Sequence, residues 1–171
     1  MGNPIANRGR ERAPRCERFV GGRVHTLVMA ETKTKPSDVS PDLIIDQAEP
    51  AGRREDARIL KEIMDRVTGE EAVVWGPTMI GYGTYHYTYE SGHSGDAMIL
   101  GFSPRKASMS IYGLQMWAPD GLIEQLGKVK LGKDCIWAGR FSSLNLEVLE
   151  ELVRIAWSKR KELQAMFPAD A

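Results

Sequence analysis

The sequence predicts an α+β fold in which an antiparallel sheet packs against an N-terminal and a C-terminal helix. Helical periodicity appears near each end of the folded region, and short runs of β-forming residues separated by glycine-bearing turns lie between. The chain has 171 residues, enough for one domain with its own core. We expect that domain over residues 53–158, followed by a helical extension over residues 159–171.

The first helix is predicted from about Arg54 to Thr68, because apolar residues recur there at helical spacing, namely Leu60, Ile63, Met64 and Val67. Glu55 and Asp56 are placed in its first turn, where the helix macrodipole favours negative charge, and Gly69 is placed to end the helix. Opposite charges four residues apart predict surface pairs on its outer face, namely Arg58 with Glu62, Lys61 with Asp65, and Glu62 with Arg66.

Strands are predicted where the periodicity changes, over residues 72–75, 84–90, 97–102, 107–112 and 135–138. Tyr85, Tyr87 and Tyr89 alternate with polar residues, so they share one face of their strand. A short helix capped by Asp120 and a loop over residues 127–133 are expected between the last two strands. Asn145 is the expected N-cap of the closing helix, whose apolar stripe is Leu149, Leu152, Val153 and Ala156, and Pro168 ends it.

Residues 1–52 are expected to be a disordered or extended leader and linker. Six arginines and two glutamates precede Met29, and three prolines with polar neighbours follow before residue 52. We favour Met29 as the true start of translation, with a nucleic-acid arm or a transit peptide as the alternatives. The apolar triplet Leu43, Ile44 and Ile45 is the exception, expected to dock on the domain as a short strand or local contact.

Composition excludes several classes of protein. The 23 basic and 23 acidic residues cancel, and no apolar run reaches the length of a membrane span. Two cysteines and three histidines leave little for a disulfide framework or a standard zinc site. The glycines at 81 and 83 and the lysines around Gly132 lack nucleotide-binding spacing. We therefore predict a cytoplasmic protein with no membrane or nucleic-acid partner.

Several motifs of the folded region resemble the YdhG-like family of small bacterial domains. They are the Trp-Gly-Pro turn at 75–77, the Phe-Ser-Pro-Arg-Lys turn at 102–106, Leu-Gly-Lys at 126–128, Gly-Lys-Asp-Cys at 132–135, and Leu-Glu-Glu-Leu at 149–152. The resemblance covers roughly residues 55–157. It implies a YdhG-like or frataxin-like α+β sandwich and, because one branch of the family is described as an iron chaperone, a role in iron delivery. Most members have no assigned function.

The resemblance also implies a metal site, since frataxin-type proteins use an acidic edge on the first helix and first strand. The nearest equivalents here are Glu55, Asp56, Glu62, Asp65, Glu70 and Glu71. Of these, Glu62, Asp65, Glu70 and Glu71 are the candidate metal ligands, and iron is the cofactor they would take. Pairing along the helix offers the alternative that Glu62 and Asp65 are ordinary surface charges. A second set of possible zinc or iron ligands, His86, Glu90, His93 and Asp96, falls on one predicted hairpin. Their spacing matches no recognised metal motif, so we favour ordinary exposed polar side chains. Cys135 is expected to be buried in its strand.

Aromatic residues supply the other candidate site, concentrated in one half of the chain. The candidate ligand-binding residues are Trp75, Tyr82, Tyr85, His86, Tyr87 and Tyr112. If no helix covers the tyrosine face it forms the floor of a cleft, and if a helix covers it the face is core.

We expect a non-enzymatic binding or delivery module with no catalytic residues, acting on a small ligand, a protein partner or iron. The alternative is a small enzyme or small-molecule-binding protein that uses the tyrosine strand and His86.

Overall fold

The computed structural model describes residues 34–89 and 92–167, which belong to one compact unit, Thr32–Ala171. Its helices are α1 Pro41–Asp46, α2 Ala51–Thr68, α3 Leu122–Leu126, α4 Leu146–Ser158 and α5 Arg160–Ala165. Its strands are β1 Pro36–Ser37, β2 Val73–Trp75, β3 Met79–Thr88, β4 Ser94–Pro104, β5 Met109–Tyr112, β6 Val129–Leu131 and β7 Cys135–Ala138. The predicted α+β class is confirmed.

The strands form one seven-stranded sheet in the order β1-β2-β3-β4-β5-β7-β6, with every neighbouring pair antiparallel. The β3–β4 hairpin is its longest pair, running from Ile80 opposite Phe102 to Thr88 opposite Ser94. Because β2 and β5 pair only with the inner part of this hairpin, its outer part extends beyond the rest of the sheet. That projection shapes the candidate site described below.

The core lies between the sheet and helices α2 and α4, and its largest buried side chains include Tyr82, Phe102 and Phe141. The predicted stripe of α4 is buried as expected, and Asn145 caps that helix by accepting from the backbone N–H groups of Glu147 and Val148. Gly69 ends α2 in the left-handed conformation, with φ 67°, as predicted.

Residues 34–52 differ from the extended linker expected there. They contain β1 and α1, and Ile45 of the apolar triplet is 1% exposed and belongs to the core. Pro41 begins α1 because its fixed φ suits a first helical turn, and burial of Ile45 then stabilises a helix too short to persist alone. Residues 1–33 and Pro168 lie outside the described part of the chain.

Two local predictions are wrong. Residues 127–133 contain β6 rather than only a loop, because β7 offers that segment an edge to pair with. Gly121, not Asp120, precedes α3 as its N-cap, in the left-handed conformation at φ 79°.

The acidic start predicted for α2 is also wrong, because the helix begins three residues earlier than expected and Asp56 lies beyond its first turn. Asp56 is instead buried and joins α2 to the segment before α4. Its carboxylate accepts from the backbone N–H of Phe141 at 3.1 Å, from Nε of Arg140 at 3.0 Å and from Arg53 at 3.5 Å. Arg53 is buried as well and donates to the carbonyl of Gly139 at 2.8 Å.

Of the three predicted surface pairs on α2, only Lys61 with Asp65 forms, at 2.8 Å. Arg58 bonds Asp46 of α1 and Arg66 bonds Glu150 of α4, so packing of the neighbouring helices replaces pairing within the helix.

Candidate functional site

A cleft of about 640 Å3 opens where the β3–β4 hairpin projects beyond the sheet. Its walls come from that hairpin, the 3-10 turn Gln115–Trp117, the turn between β6 and β7, and the end of the chain around α5. Its aromatic lining is Tyr85, Tyr89, Tyr112, Trp117 and Phe167, and its other lining residues are Met98, Ile99, Gly113, Gln115, Met116, Lys133, Asp134 and Leu163. We call it the tyrosine cleft.

Tyr85 and Tyr87 of β3 and Tyr89, which follows the strand, form one row of rings, as their alternation predicts. Ring centroids lie 6.4 Å apart between Tyr85 and Tyr87 and 5.2 Å apart between Tyr87 and Tyr89. Phe167, which follows α5, adds a ring 5.6 Å from Tyr85 and 6.3 Å from Tyr89. Tyr85 and Tyr89 of this row line the cleft, and Phe167 packs against both. The sequence left open whether the tyrosine face is the floor of a cleft or is covered as core, and the structure shows a cleft that is covered in part.

Gln164 of α5 fixes that end of the chain beside the cleft. Its side-chain oxygen accepts from the backbone N–H of His86 at 3.2 Å, and its side-chain nitrogen donates to the His86 carbonyl at 3.4 Å. Within the described residues, this outer edge of β3 has no neighbouring strand, because β2 pairs only with residues 79–81. One amide side chain thus takes the two bonds that a strand would make there.

The polar lining is sparse and partly unsatisfied. The side-chain oxygen of Gln115 is buried and has no hydrogen-bond partner among the described residues. Burial raises the pKa of Tyr85, with smaller contributions from Tyr89, Tyr87 and Asp134. The Tyr85 hydroxyl therefore stays neutral and can donate or accept a hydrogen bond.

The structure brings Tyr85 and Tyr112 to the cleft and places Tyr87 beside it in the ring row. Trp75 and Tyr82 lie in the interior instead, at 2% and 0% exposure. The Tyr82 hydroxyl donates to Asp65 at 2.6 Å, and burial followed by this bond raises the Tyr82 pKa. Neither residue lines the tyrosine cleft: Tyr82 is part of the packing, and Trp75, although buried, borders a separate cavity beside Glu70 and Glu71.

His86 points to a different partner. Its Nδ1 lies 2.8 Å from a carboxylate oxygen of Asp96 on the paired strand, and neither side chain lines the tyrosine cleft. His93 contacts the rings of Tyr87 and Tyr89 at 6.0 and 6.4 Å, while Glu90 lies outside the described residues. His86 and Asp96 thus contact each other, whereas His93 contacts the tyrosine rings, so these three predicted residues do not converge on one point.

The carboxylates predicted for metal binding have varied surroundings. Asp65 is occupied by Lys61 and Tyr82, Glu62 is exposed, and Glu70 and Glu71 line a separate cavity of about 320 Å3 with Trp157 and Arg160. Among residues 34–89 and 92–167, no three histidine, cysteine or carboxylate side chains form a group that could hold a metal ion.

Sequence reasoning missed Gln115, Met116, Leu163 and Phe167 as cleft residues. The topology brings these residues together from the segment after β5 and from the chain end, and no spacing in the sequence links the two. The only sequence feature that pointed to this cleft is the concentration of aromatic residues near β3.

Comparisons of the chain with family models, with curated proteins and with solved structures found no match. None of the helices in the described part of the chain is long and apolar enough to span a bilayer.

Proposed function

We propose that the protein is a non-enzymatic binding module that holds a small planar ligand in the tyrosine cleft. The observation that carries this proposal is the cleft itself, about 640 Å3 in volume, with Tyr85, Tyr112 and Trp117 in its lining. Small-molecule sites commonly have this size and combine an apolar lining with a few placed polar groups. Aromatic walls favour a flat ligand, because rings attract one another at centroid distances of about 4.5–7 Å.

Gln115 and Tyr85 line the cleft and offer polar groups beside its aromatic walls. The side-chain oxygen of Gln115 is buried without a partner among the described residues, so a ligand N–H or O–H group would satisfy it only after that side chain turned toward the cleft. Such a bond would favour a ligand that carries a donor, because an unsatisfied buried acceptor costs about 1–3 kcal/mol. The neutral Tyr85 hydroxyl adds a second point of polar contact.

We also propose that the chain is a YdhG-like domain, and the order of helix, antiparallel strands and helix supports this membership. The two turns that carry the resemblance lie close together, because Thr78 after the first turn and Ser103 within the second have their hydroxyls 3.0 Å apart.

The test is a titration of the full chain with nucleobases, indoles and aromatic acids, in which binding is detected by tryptophan fluorescence and by amide NMR shifts. Ferrous iron, added without oxygen, is a separate titration. Phe167→Ala should weaken binding about tenfold, because it removes an apolar wall of the cleft. Met166→Ala is the matched control, since Met166 precedes Phe167 but is 55% exposed and does not line the cleft.

Shifts clustered at Tyr85, Tyr112 and Gln115 with a flat ligand would support the proposal. Silence across the panel, or equal losses in the two variants, would refute it. Shifts confined to Glu70 and Glu71 on addition of iron would favour iron delivery instead. Chemical conversion of a compound in the panel that is lost in His86→Gln would favour the enzyme alternative.

A further inference from the structure

A second cavity, of about 370 Å3, lies away from the tyrosine cleft and has a different chemistry. It is bounded by the end of α1, by the turn before β3 and by the turn that follows β4. Its apolar wall includes Ile44 and the two prolines Pro77 and Pro104. We call it the proline cavity. It shares no lining residue with the tyrosine cleft.

Two adjacent cations, Arg105 and Lys106, line one side of the proline cavity. Both are exposed, and neither forms an ion pair with another residue of the described ranges 34–89 and 92–167. Glu49 is the single carboxylate in the lining. The lining of the cavity therefore has two cations against one carboxylate, and neither cation is in an ion pair within the described residues.

The turn beside these cations is held by hydrogen bonds between the buried Ser103 and the exposed Thr78. The Ser103 hydroxyl donates to the Thr78 carbonyl at 3.1 Å, so its one hydrogen is used there. The Thr78 hydroxyl must therefore be the donor in the 3.0 Å contact between the two side chains. Ser103 is fully buried, and its carbonyl accepts from the backbone N–H of Arg105 at 3.0 Å. The turn that bears the cations is thus tied to the opposite wall.

This rigidity matters for binding, because a site that is already ordered loses less conformational freedom when a ligand enters. The two prolines reinforce it, since each fixes its own backbone φ. Arginine can also hold a carboxylate or phosphate through two parallel hydrogen bonds, which adds geometric selectivity to charge attraction.

We propose that the proline cavity is a binding site for a small organic anion, either a carboxylic acid or a phosphate ester. Arg105 and Lys106 hold its charged group, and its apolar part packs against Ile44 and the two prolines. This site is independent of the tyrosine cleft, so either proposal can fail while the other stands.

The test is an amide NMR titration of the full chain with inorganic phosphate and, separately, with benzoate, at ionic strength held constant with sodium chloride. We expect saturable shifts at Thr78, Arg105 and Lys106. Stronger saturation by phosphate would indicate a phosphate ester as the ligand, and stronger saturation by benzoate would indicate a carboxylic acid. Either result supports the site. Shifts confined to Tyr85 and its neighbours would overturn the proposal, since the anion would then bind in the tyrosine cleft.

The double variant Arg105→Gln with Lys106→Gln should bind the better probe about tenfold more weakly, because it removes both charge-assisted bonds. The matched control is Lys128→Gln with Lys130→Gln, which removes the same charge at two exposed lysines that do not line the cavity. Equal losses in the two double variants would overturn the proposal, since binding would then follow total charge. Absent or non-saturating shifts in the unmodified chain would overturn it without any variant.

Discussion

Replacing Asp56 by alanine should destabilise the fold more than any exposed charge substitution in the described residues. The Asp56 carboxylate is 1% exposed and holds three donors, namely Arg53, Arg140 and the backbone N–H of Phe141. Its removal leaves the Phe141 N–H without its acceptor and the 4% exposed Arg53 without its counter-charge. Burial already lowers the Arg53 pKa, and Asp56 is the neighbour that opposes this effect.

The magnitude follows from these contacts. Breaking a buried ion pair by removing one partner costs about 3–5 kcal/mol, because the remaining charge stays buried. The Arg140 bond adds little, since that side chain is 50% exposed and water can replace the lost contact. We therefore expect a loss of about 3–5 kcal/mol in the free energy of unfolding, measured by urea denaturation and followed by tryptophan fluorescence.

Asp46→Ala is the matched control, because Asp46 pairs with Arg58 at 2.6 Å but both side chains are more than half exposed. Such surface pairs contribute about 0–1 kcal/mol. A second variant, Arg53→Met combined with Asp56→Leu, should recover the part of the loss that comes from the unpaired Arg53 charge, whereas the Phe141 N–H and the Gly139 carbonyl stay without these partners. If Asp56→Ala costs no more than Asp46→Ala, the reasoning from burial is wrong.

The remaining predictions concern stability and local opening. Gly83→Ala should lower the free energy of unfolding, measured in urea, more than Gly69→Ala does. Both glycines have positive φ, but a Cβ at Gly83 would lie 2.8 Å from the Ile99 side chain and 2.9 Å from the Trp157 ring, whereas nothing lies within 4 Å at Gly69. Equal losses would exclude the clash. The pKa of Tyr82 is raised in the folded state, so the contribution of its hydroxyl to the free energy of unfolding is complete below the unfolded pKa of about 10 and is lost as the pH rises above that value. The loss of stability between pH 9 and pH 11 should therefore be smaller in Tyr82→Phe. An unchanged dependence of stability on pH would contradict this. Gln164→Ala should speed hydrogen exchange at the His86 amide and leave Ile80 unchanged, whereas unchanged exchange at His86 would show that the side chain does not hold this edge.

Local patterns predicted most of the elements because their causes are local. The spacing of apolar residues predicted the two long helices, and Asn145 was predicted as a helix cap. The alternation of Tyr85, Tyr87 and Tyr89 predicted that their rings lie on one face of the strand. Elements that depend on a partner were not predictable in this way. Strand β6 forms because β7 is beside it, and α1 is stabilised by burying one isoleucine in a core built from distant segments.

The site was predictable only in part for the same reason. Tyr85 and Tyr112 could be named because aromatic residues are concentrated near β3, but the closing wall comes from Phe167, which is far away in the sequence. Trp75 and Tyr82 carry the same aromatic signal and are core residues. Composition finds aromatic residues, whereas topology decides which of them face open space.

The bonds between Gln164 and His86 have a consequence for self-association. An unpaired strand edge invites another chain to add a strand, and proteins commonly cover such edges to prevent this. Here the cover is a side chain of α5, which also carries the Leu163 wall of the tyrosine cleft. A movement of α5 away from the sheet would therefore break both bonds and leave this stretch of β3 open to pairing, so the position of one helix decides whether the strand edge is covered.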